Sequence, residues 1–148
     1  MPISKRYLDT QKLAVPVDRE GIAGRLSAEY PEVVFAFVHG SARGGIIAPH
    51  SDLDLAIYTS EALSADRYLG LAGEISALHQ GVRCDLGLLN RADPIYAFEA
   101  LKGDRVLCRC DDVFAQFFSE TCRRYEFAMA SFERQRAHRL SRRNMKSA

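Results

Sequence analysis

The stretch that decides the fold is FVHGSARGGIIAPHSDLDLAIY, residues 37–58. It contains Gly40-Ser41, a spacer of ten residues, and then Asp52-Leu53-Asp54. The apolar run that precedes it, residues 33–38, is short and rich in β-branched and aromatic side chains, which favours a buried strand. After the spacer, apolar residues alternate with others from residue 52 to 58, which predicts a second strand carrying both aspartates on one face.

The two aspartates have the chemistry of a metal site. Asp52 and Asp54, as residues i and i+2 of a strand, would have their backbones about 6–7 Å apart and their carboxylates on one side. Mg²⁺ prefers oxygen ligands and usually binds through one or two carboxylates plus substrate phosphates. Two such ions about 4 Å apart can hold the attacking and leaving oxygens of a phosphoryl displacement. The pattern therefore predicts a two-metal site that transfers a nucleotide from a nucleoside triphosphate.

Two further segments extend this predicted site. Glycine admits close approach of the backbone to phosphate, and the Ser41 hydroxyl and neighbouring N–H groups can donate to phosphate oxygens. A third carboxylate is needed near the acceptor hydroxyl, and Asp85, in the middle of the next apolar run, is the candidate. Asp85 could instead pair with Arg83 or Arg43. Arg43 could itself reach a phosphate or remain a surface arginine, and an outward-facing pair is the alternative for Asp52 and Asp54.

The rest of the chain reads as alternating helices and strands. Asp18, Ser64 and Asp93 are predicted helix caps, and Gly81 and Gly103 are predicted helix ends. Further strands are expected at residues 82–89 and 105–109, before a long amphipathic helix that Asp111 or Asp112 caps. The order indicates an α+β domain with a mixed β-sheet of about four strands and helices packed mainly on one face.

Composition restricts the broad class of the protein. The chain has 148 residues, a net charge of +1 and four cysteines without a zinc-ligand spacing. We expect one cytoplasmic domain spanning residues 1–148, without a membrane span or secretory signal and with free cysteines. The low net charge disfavours direct nucleic-acid binding. Residues 1–12 and 134–148 are predicted to be flexible termini, although the cations of the second segment could form a docking arm for an acidic partner or RNA.

At the Gly-Ser and Asp-x-Asp residues the chain resembles the nucleotidyltransferase superfamily that includes DNA polymerase beta. It looks most like the minimal (MNT) nucleotidyltransferases, in particular the MntA-like antitoxins that are paired with HEPN toxins. The resemblance spans about residues 30–132 and includes EYPEVVFAFVHGS, PHSDLDLAIY and CDLGLLNRADP. Two departures affect nucleotide binding: the spacer begins Ala42-Arg43 where relatives often have Arg-Ala, and His50 stands where an acid is common.

The resemblance implies a function for each part of the pattern. Gly40, Ser41, Arg43 and Ser51 would bind the nucleotide, and Asp52, Asp54 and Asp85 would be the catalytic metal ligands. The cofactor would be Mg²⁺, two ions with Mn²⁺ as a substitute, and the substrate ATP. The chain would transfer AMP to a hydroxyl, a tyrosine, of a partner HEPN toxin and so act as its antitoxin, as a homo- or hetero-oligomer.

Two alternatives stay open at the level of sequence. The chain could be a non-catalytic antitoxin that masks its toxin through the last helix or the basic tail. It could also be a nucleotidyltransferase of the aminoglycoside-modifying kind, although 148 residues leave no room for a separate substrate domain unless a homodimer forms the acceptor pocket.

Overall fold

A computed structural model describes residues 13–147. The predicted flexible segment 1–12 therefore lies outside the described residues. Within them the chain forms, in order, β1 (Val15–Pro16), α1 (Arg19–Glu29), β2 (Val33–His39), β3 (Ile46–Ile47), β4 (Leu53–Thr59), α2 (Ala65–Leu78), β5 (Cys84–Leu88), α3 (Pro94–Leu101), β6 (Asp104–Cys108) and α4 (Asp111–Ser147).

Side-chain caps set the starts of the first three helices. The Asp18 carboxylate accepts from the backbone N–H of Gly21 at 2.9 Å, and Asp93 accepts from that of Ile95 at 2.8 Å. Ser64 accepts from the third N–H of α2 in the same way. Each contact satisfies one of the unpaired donors of a helix N-terminus. The three caps predicted from the sequence are confirmed.

The main sheet has four strands in the order β5-β4-β2-β6. β2 pairs antiparallel with β4 and β6, whereas β4 pairs parallel with β5. The predicted α+β class and mixed four-stranded sheet are therefore confirmed. β1 and β3 form a separate two-stranded sheet that the sequence did not predict.

Helices cover both faces of the main sheet, which corrects the expectation that they pack mainly on one. One core contains Ile22 and Leu26 of α1, Leu71 and Ile75 of α2, and Leu53, Leu55 and Ile57 of β4. On the other face, α3 and the first turns of α4 pack on a second core, which contains Phe35, Phe37, Ala56, Leu89, Ala97, Ala100 and Leu101. Strand residues alternate between the two cores, as the side-chain period of a strand requires.

A buried histidine joins the two helices of the first face. His79 is fully buried at the end of α2. Its Nε2 accepts the backbone N–H of Asp18 at 2.9 Å, and its Nδ1 lies 2.7 Å from the carbonyl oxygen of Ile75. Because a backbone amide can only donate, Nδ1 carries the proton and donates to Ile75. The ring thus ties the start of α1 to the end of α2.

The last helix continues far beyond the sheet. α4 has 37 residues and runs through the segment predicted to be a flexible terminus, up to Ser147. Residues 132–146 are all exposed. Among the described residues, no helix has the length and apolar character to cross a membrane.

Candidate active site

Strand register brings three polar residues together at one end of the sheet. His39, the last residue of β2, pairs with Asp54 of β4, and Asp54 pairs with Asp85 of β5. Residues that pair directly project to the same face, and neighbouring strands lie about 4.8 Å apart. That face is the one on which Phe37 packs against α3 and α4. The sheet therefore places His39, Asp54 and Asp85 side by side below α3.

The carboxylates act on one another electrostatically. Burial raises the pKa of Asp54 above its ordinary value, His39 opposes the rise, and the charges of Asp85 and Asp52 add to it. Asp52 precedes β4, which begins at Leu53, and is exposed. Asp52 and Asp85 therefore interact electrostatically with Asp54, which is half-buried between them.

Gly40 and Ser41 form a tight turn directly after β2. Gly40 has φ +69°, a conformation that residues with a Cβ rarely adopt. A Cβ at this position would also collide with the carboxylate of Asp54. Glycine is therefore required both for the turn and for its contact with the acid, while Ser41 stays exposed beside them.

The remaining predicted nucleotide-binding residues lie in the spacer. Arg43 is exposed at the end of the turn, where its N–H donates to the carbonyl oxygen of Gly40 at 3.3 Å. Ser51 and Asp52 lie on a cavity of about 450 Å³ that also touches Arg83, just before β5. This volume is within the range of small-molecule sites, about 300–1,000 Å³. The spacer therefore places Arg43 on the surface and Ser51 beside a cavity that adjoins Asp52.

A histidine and a tyrosine border the acids on the side of α3. The Nε2 of His39 lies 3.2 Å from the hydroxyl of Tyr96, and the two rings meet edge to face with centroids 5.4 Å apart. Burial lowers the pKa of His39, against the opposite effect of Asp54 and Asp85. Burial, with the charges of Asp85 and Asp54, raises the pKa of Tyr96 to about 12. The phenol is therefore protonated at neutral pH.

The donor chemistry of these residues fits a divalent cation. The acids offer hard oxygen ligands of the kind that Mg²⁺ prefers. Burial and the charges of Asp85 and Asp52 disfavour the charged form of Asp54, and a bound cation would relieve both effects. Within residues 13–147, no three His, Cys, Asp or Glu side chains converge closely enough to enclose a metal ion. The acids alone form an open site, and phosphate oxygens and water would have to complete the coordination.

Sequence reasoning identified neither Tyr96 nor His39 as a residue of the site. One signal was present: Gly87 is an isolated glycine inside a strand, which often marks a close approach by another group. In the structure a Cβ at Gly87 would collide with the hydroxyl of Tyr96. The sequence indicated an approach at this point but not which residue makes it.

Fold and site together define the class of the protein as a nucleotidyltransferase. The family described as "Polymerase beta, Nucleotidyltransferase" matches residues 23–112. The chain therefore belongs to the polymerase beta nucleotidyltransferase family, as the Gly-Ser and Asp-x-Asp residues predicted.

Solved structures of toxin–antitoxin complexes share the fold. A chain of a toxin–antitoxin complex with AMP-PNP is 17% identical, with TM-score 0.61, and the match covers 88% of this chain and 99% of that one. A chain of the MntA–HepT complex is 15% identical, with TM-score 0.56 and coverage of 88% and 97%. A complex of tri-AMPylated Shewanella oneidensis HEPN toxin with MNT antitoxin also matches, with 15% identity, TM-score 0.56 and coverage of 88% and 96%. No curated protein matches the sequence significantly.

Proposed function

We propose that this chain transfers AMP from ATP to a tyrosine hydroxyl of a HEPN toxin and thereby acts as its antitoxin. The strand register carries the proposal. It sets the turn at Gly40 against Asp54, and Asp54 beside Asp85. Nucleotide transfer requires a turn that can hold phosphate next to neighbouring carboxylates, because the phosphoryl group must be held while its charge is neutralised.

Each residue has a proposed part in the reaction. The Ser41 hydroxyl and the N–H groups of the turn donate to the triphosphate, and Arg43 and Ser51 are placed to extend this contact. Asp52, Asp54 and Asp85 would hold Mg²⁺, which neutralises triphosphate charge and lowers the pKa of a bound hydroxyl. Asp85, exposed on the outer strand of the sheet, faces the acceptor and accepts its proton.

Structures with the same fold support the choice of ATP and of the partner. One relative by fold was crystallised with AMP-PNP, an ATP analogue. Another complex contains a tri-AMPylated HEPN toxin together with its MNT antitoxin. The described part of this chain offers no separate substrate domain, so an acceptor supplied by a second protein is consistent with its size.

The test uses the purified chain, Mg²⁺, ATP labelled at the α-phosphate, and a HEPN protein, which is all-helical and carries an Arg-x₄-His sequence. The wild type should label a tyrosine of that protein and release pyrophosphate. Asp54→Asn should abolish labelling, whereas Glu61→Gln, which removes an exposed acid elsewhere, should not. Labelling by the Asp54→Asn variant would contradict the proposal. Labelling of an aminoglycoside instead of the protein would indicate the small-molecule alternative.

The projecting part of α4, residues 127–146, favours a second candidate function, a non-catalytic antitoxin that masks its toxin. Phe127 is 71% exposed and Phe132 is 55% exposed, and the following residues 134–146 include six Lys and Arg and no acid. Exposed apolar residues beside cations are suited to a partner surface. If this is the function, neutralisation of the toxin would survive Asp54→Asn and fail when residues 127 and 132 are both changed to serine.

A further inference from the structure

Tyr96 is a tyrosine placed at the acids. Its hydroxyl lies directly over Gly87, because a Cβ there would collide with it. Gly87 is two residues from Asp85 on β5, and residues two apart on a strand share a face. The same hydroxyl is 3.2 Å from Nε2 of His39, which is adjacent in sequence to Gly40. The phenol therefore lies between the phosphate-binding turn and the acceptor-side carboxylate.

The neighbouring acids interact electrostatically with this phenol. Asp85 is the strongest charge acting on Tyr96, and Asp54 is the next. The group within hydrogen-bond reach of the hydroxyl is Nε2 of His39, and such a contact is the geometry that general-base catalysis of hydroxyl attack requires. Tyr96 is also 36% exposed, so a group attached to its oxygen could extend towards solvent.

The other described tyrosines are engaged elsewhere. Two use their hydroxyl in other contacts, and two are held in aromatic stacks. These are Tyr30 on Glu74, Tyr68 on the carbonyl of Leu86, Tyr58 on Phe35 and Tyr125 on Phe98. Within residues 13–147, Tyr96 is therefore the tyrosine whose position matches that of an acceptor.

We propose that Tyr96 is an internal acceptor, so that the chain transfers AMP from ATP to its own Tyr96. The proposal rests on the nucleotidyltransferase activity proposed above. The phenolic oxygen attacks the α-phosphorus, and the bond between that phosphorus and the oxygen bridging to the β-phosphate breaks. Pyrophosphate leaves with the electron pair of that bond, and the phenol proton passes to Nε2 of His39, which lies 3.2 Å from the hydroxyl. The product is an AMP–tyrosine phosphodiester that occupies the acceptor side and blocks transfer to the partner.

The experiment incubates the full chain with Mg²⁺ and ATP labelled at the α-phosphate, in the absence of any partner. Intact mass and peptide mapping should show one AMP group on Tyr96. Tyr96→Phe keeps the ring and its edge-to-face contact with His39 but removes the nucleophilic hydroxyl, so the label should be lost. Tyr125→Phe keeps its stack on Phe98 and should be labelled like the wild type.

Two further measurements separate the proposals. Transfer to the HEPN protein without any label on Tyr96, or a label on another residue, would refute the internal acceptor and leave the proposed function standing. Absence of both labels would refute both. Because the wild-type peptide map alone identifies the modified residue, the result does not depend on the folding of Tyr96→Phe. If self-transfer blocks the partner reaction, Tyr96→Phe should also modify the HEPN protein for longer before the rate declines.

Discussion

At the scale of single residues, the structure requires glycine at position 40 for two separate reasons, its backbone conformation and its contact with Asp54. A residue with a side chain pays about 1–2 kcal/mol in the left-handed region, and at Gly40 its Cβ would also displace the Asp54 carboxylate. Gly45 has φ +92° but open space around it, and Gly44 has neither constraint. These three glycines of one loop therefore form a natural comparison.

We expect Gly40→Ala to lower the free energy of unfolding more than Gly45→Ala, and Gly44→Ala to have little effect. Gly40→Ala should also abolish nucleotide transfer, because the acid it displaces is at the centre of the site. Urea unfolding and α-phosphate labelling would measure the two effects. Equal losses of stability at residues 40 and 45 would show that the collision with Asp54 is absorbed without cost.

The charge of Asp54 should oppose the stability of the metal-free protein. Since folding raises the pKa of Asp54, the folded chain binds more protons than the unfolded chain between the ordinary and the raised value. The free energy of unfolding therefore falls as pH rises through that window. Asp54→Asn should remove this contribution and stabilise the metal-free protein at neutral pH. Thermal unfolding in EDTA across acidic and neutral pH would measure this contribution, with Glu61→Gln as the control. A lower stability of Asp54→Asn than of the wild type would contradict the prediction.

At the scale of elements, the side chain of His79 connects the start of α1 to the end of α2 through two hydrogen bonds. His79→Leu would leave the partly buried Asp18 N–H without its acceptor, and an unpaired donor costs up to about 1–3 kcal/mol. We expect a loss of that size in chemical unfolding, while His138→Leu on the exposed part of α4 should change little. A neutral effect of His79→Leu would mean that another acceptor reaches this amide.

The projecting part of α4 should matter for binding but not for folding. Phe127→Ser and Phe132→Ser change exposed residues, so the free energy of unfolding should shift by less than about 0.5 kcal/mol. If this helix contacts the HEPN protein, the double variant should bind it more weakly in calorimetry. Leu69→Ser, at a residue 66% exposed on α2 of the opposite face, is the matched control. Unchanged binding by the double variant would exclude these residues from the contact.

At the scale of the whole molecule, one helix determines the shape. A straight helix of 37 residues is about 55 Å long, whereas a compact domain of 148 residues has a radius of gyration of about 15 Å. We expect small-angle scattering of the monomer to give a larger radius and a distance distribution that extends to at least about 55 Å. A compact distribution would show that the helix folds back in solution.

Local signals in the sequence predicted much of this architecture. Caps such as Asp18 and Ser64 act within one turn, and Gly40-Ser41 and Asp52-x-Asp54 lie within one hairpin-like unit, so their consequences can be read locally. The pairing of Asp54 with Asp85 and the approach of Tyr96 depend on which strands become neighbours. A single sequence does not encode such long-range pairing in any local pattern.

The placement of the helices escaped prediction for a related reason. Alternation in β2 is hidden because both faces are buried, and its residues from Phe35 to Val38 are all apolar. A strand covered on both faces reads as a continuous apolar run. The nearly continuous hydrophobicity of β2 is therefore consistent with two covered faces. It does not identify the helices that cover each face.

The pairing of His39 with Asp54 has a consequence for how the chain finds its fold. If β4 were inserted one residue out of step with β2, every side chain of β4 would change faces. Asp54 would then enter the dry core below α1 and α2, and Leu55 would face the open edge. Burial of an unpaired carboxylate is strongly unfavourable, so such misassembled chains are penalised as they form. The acid proposed for catalysis therefore also disfavours the wrong strand alignment during folding.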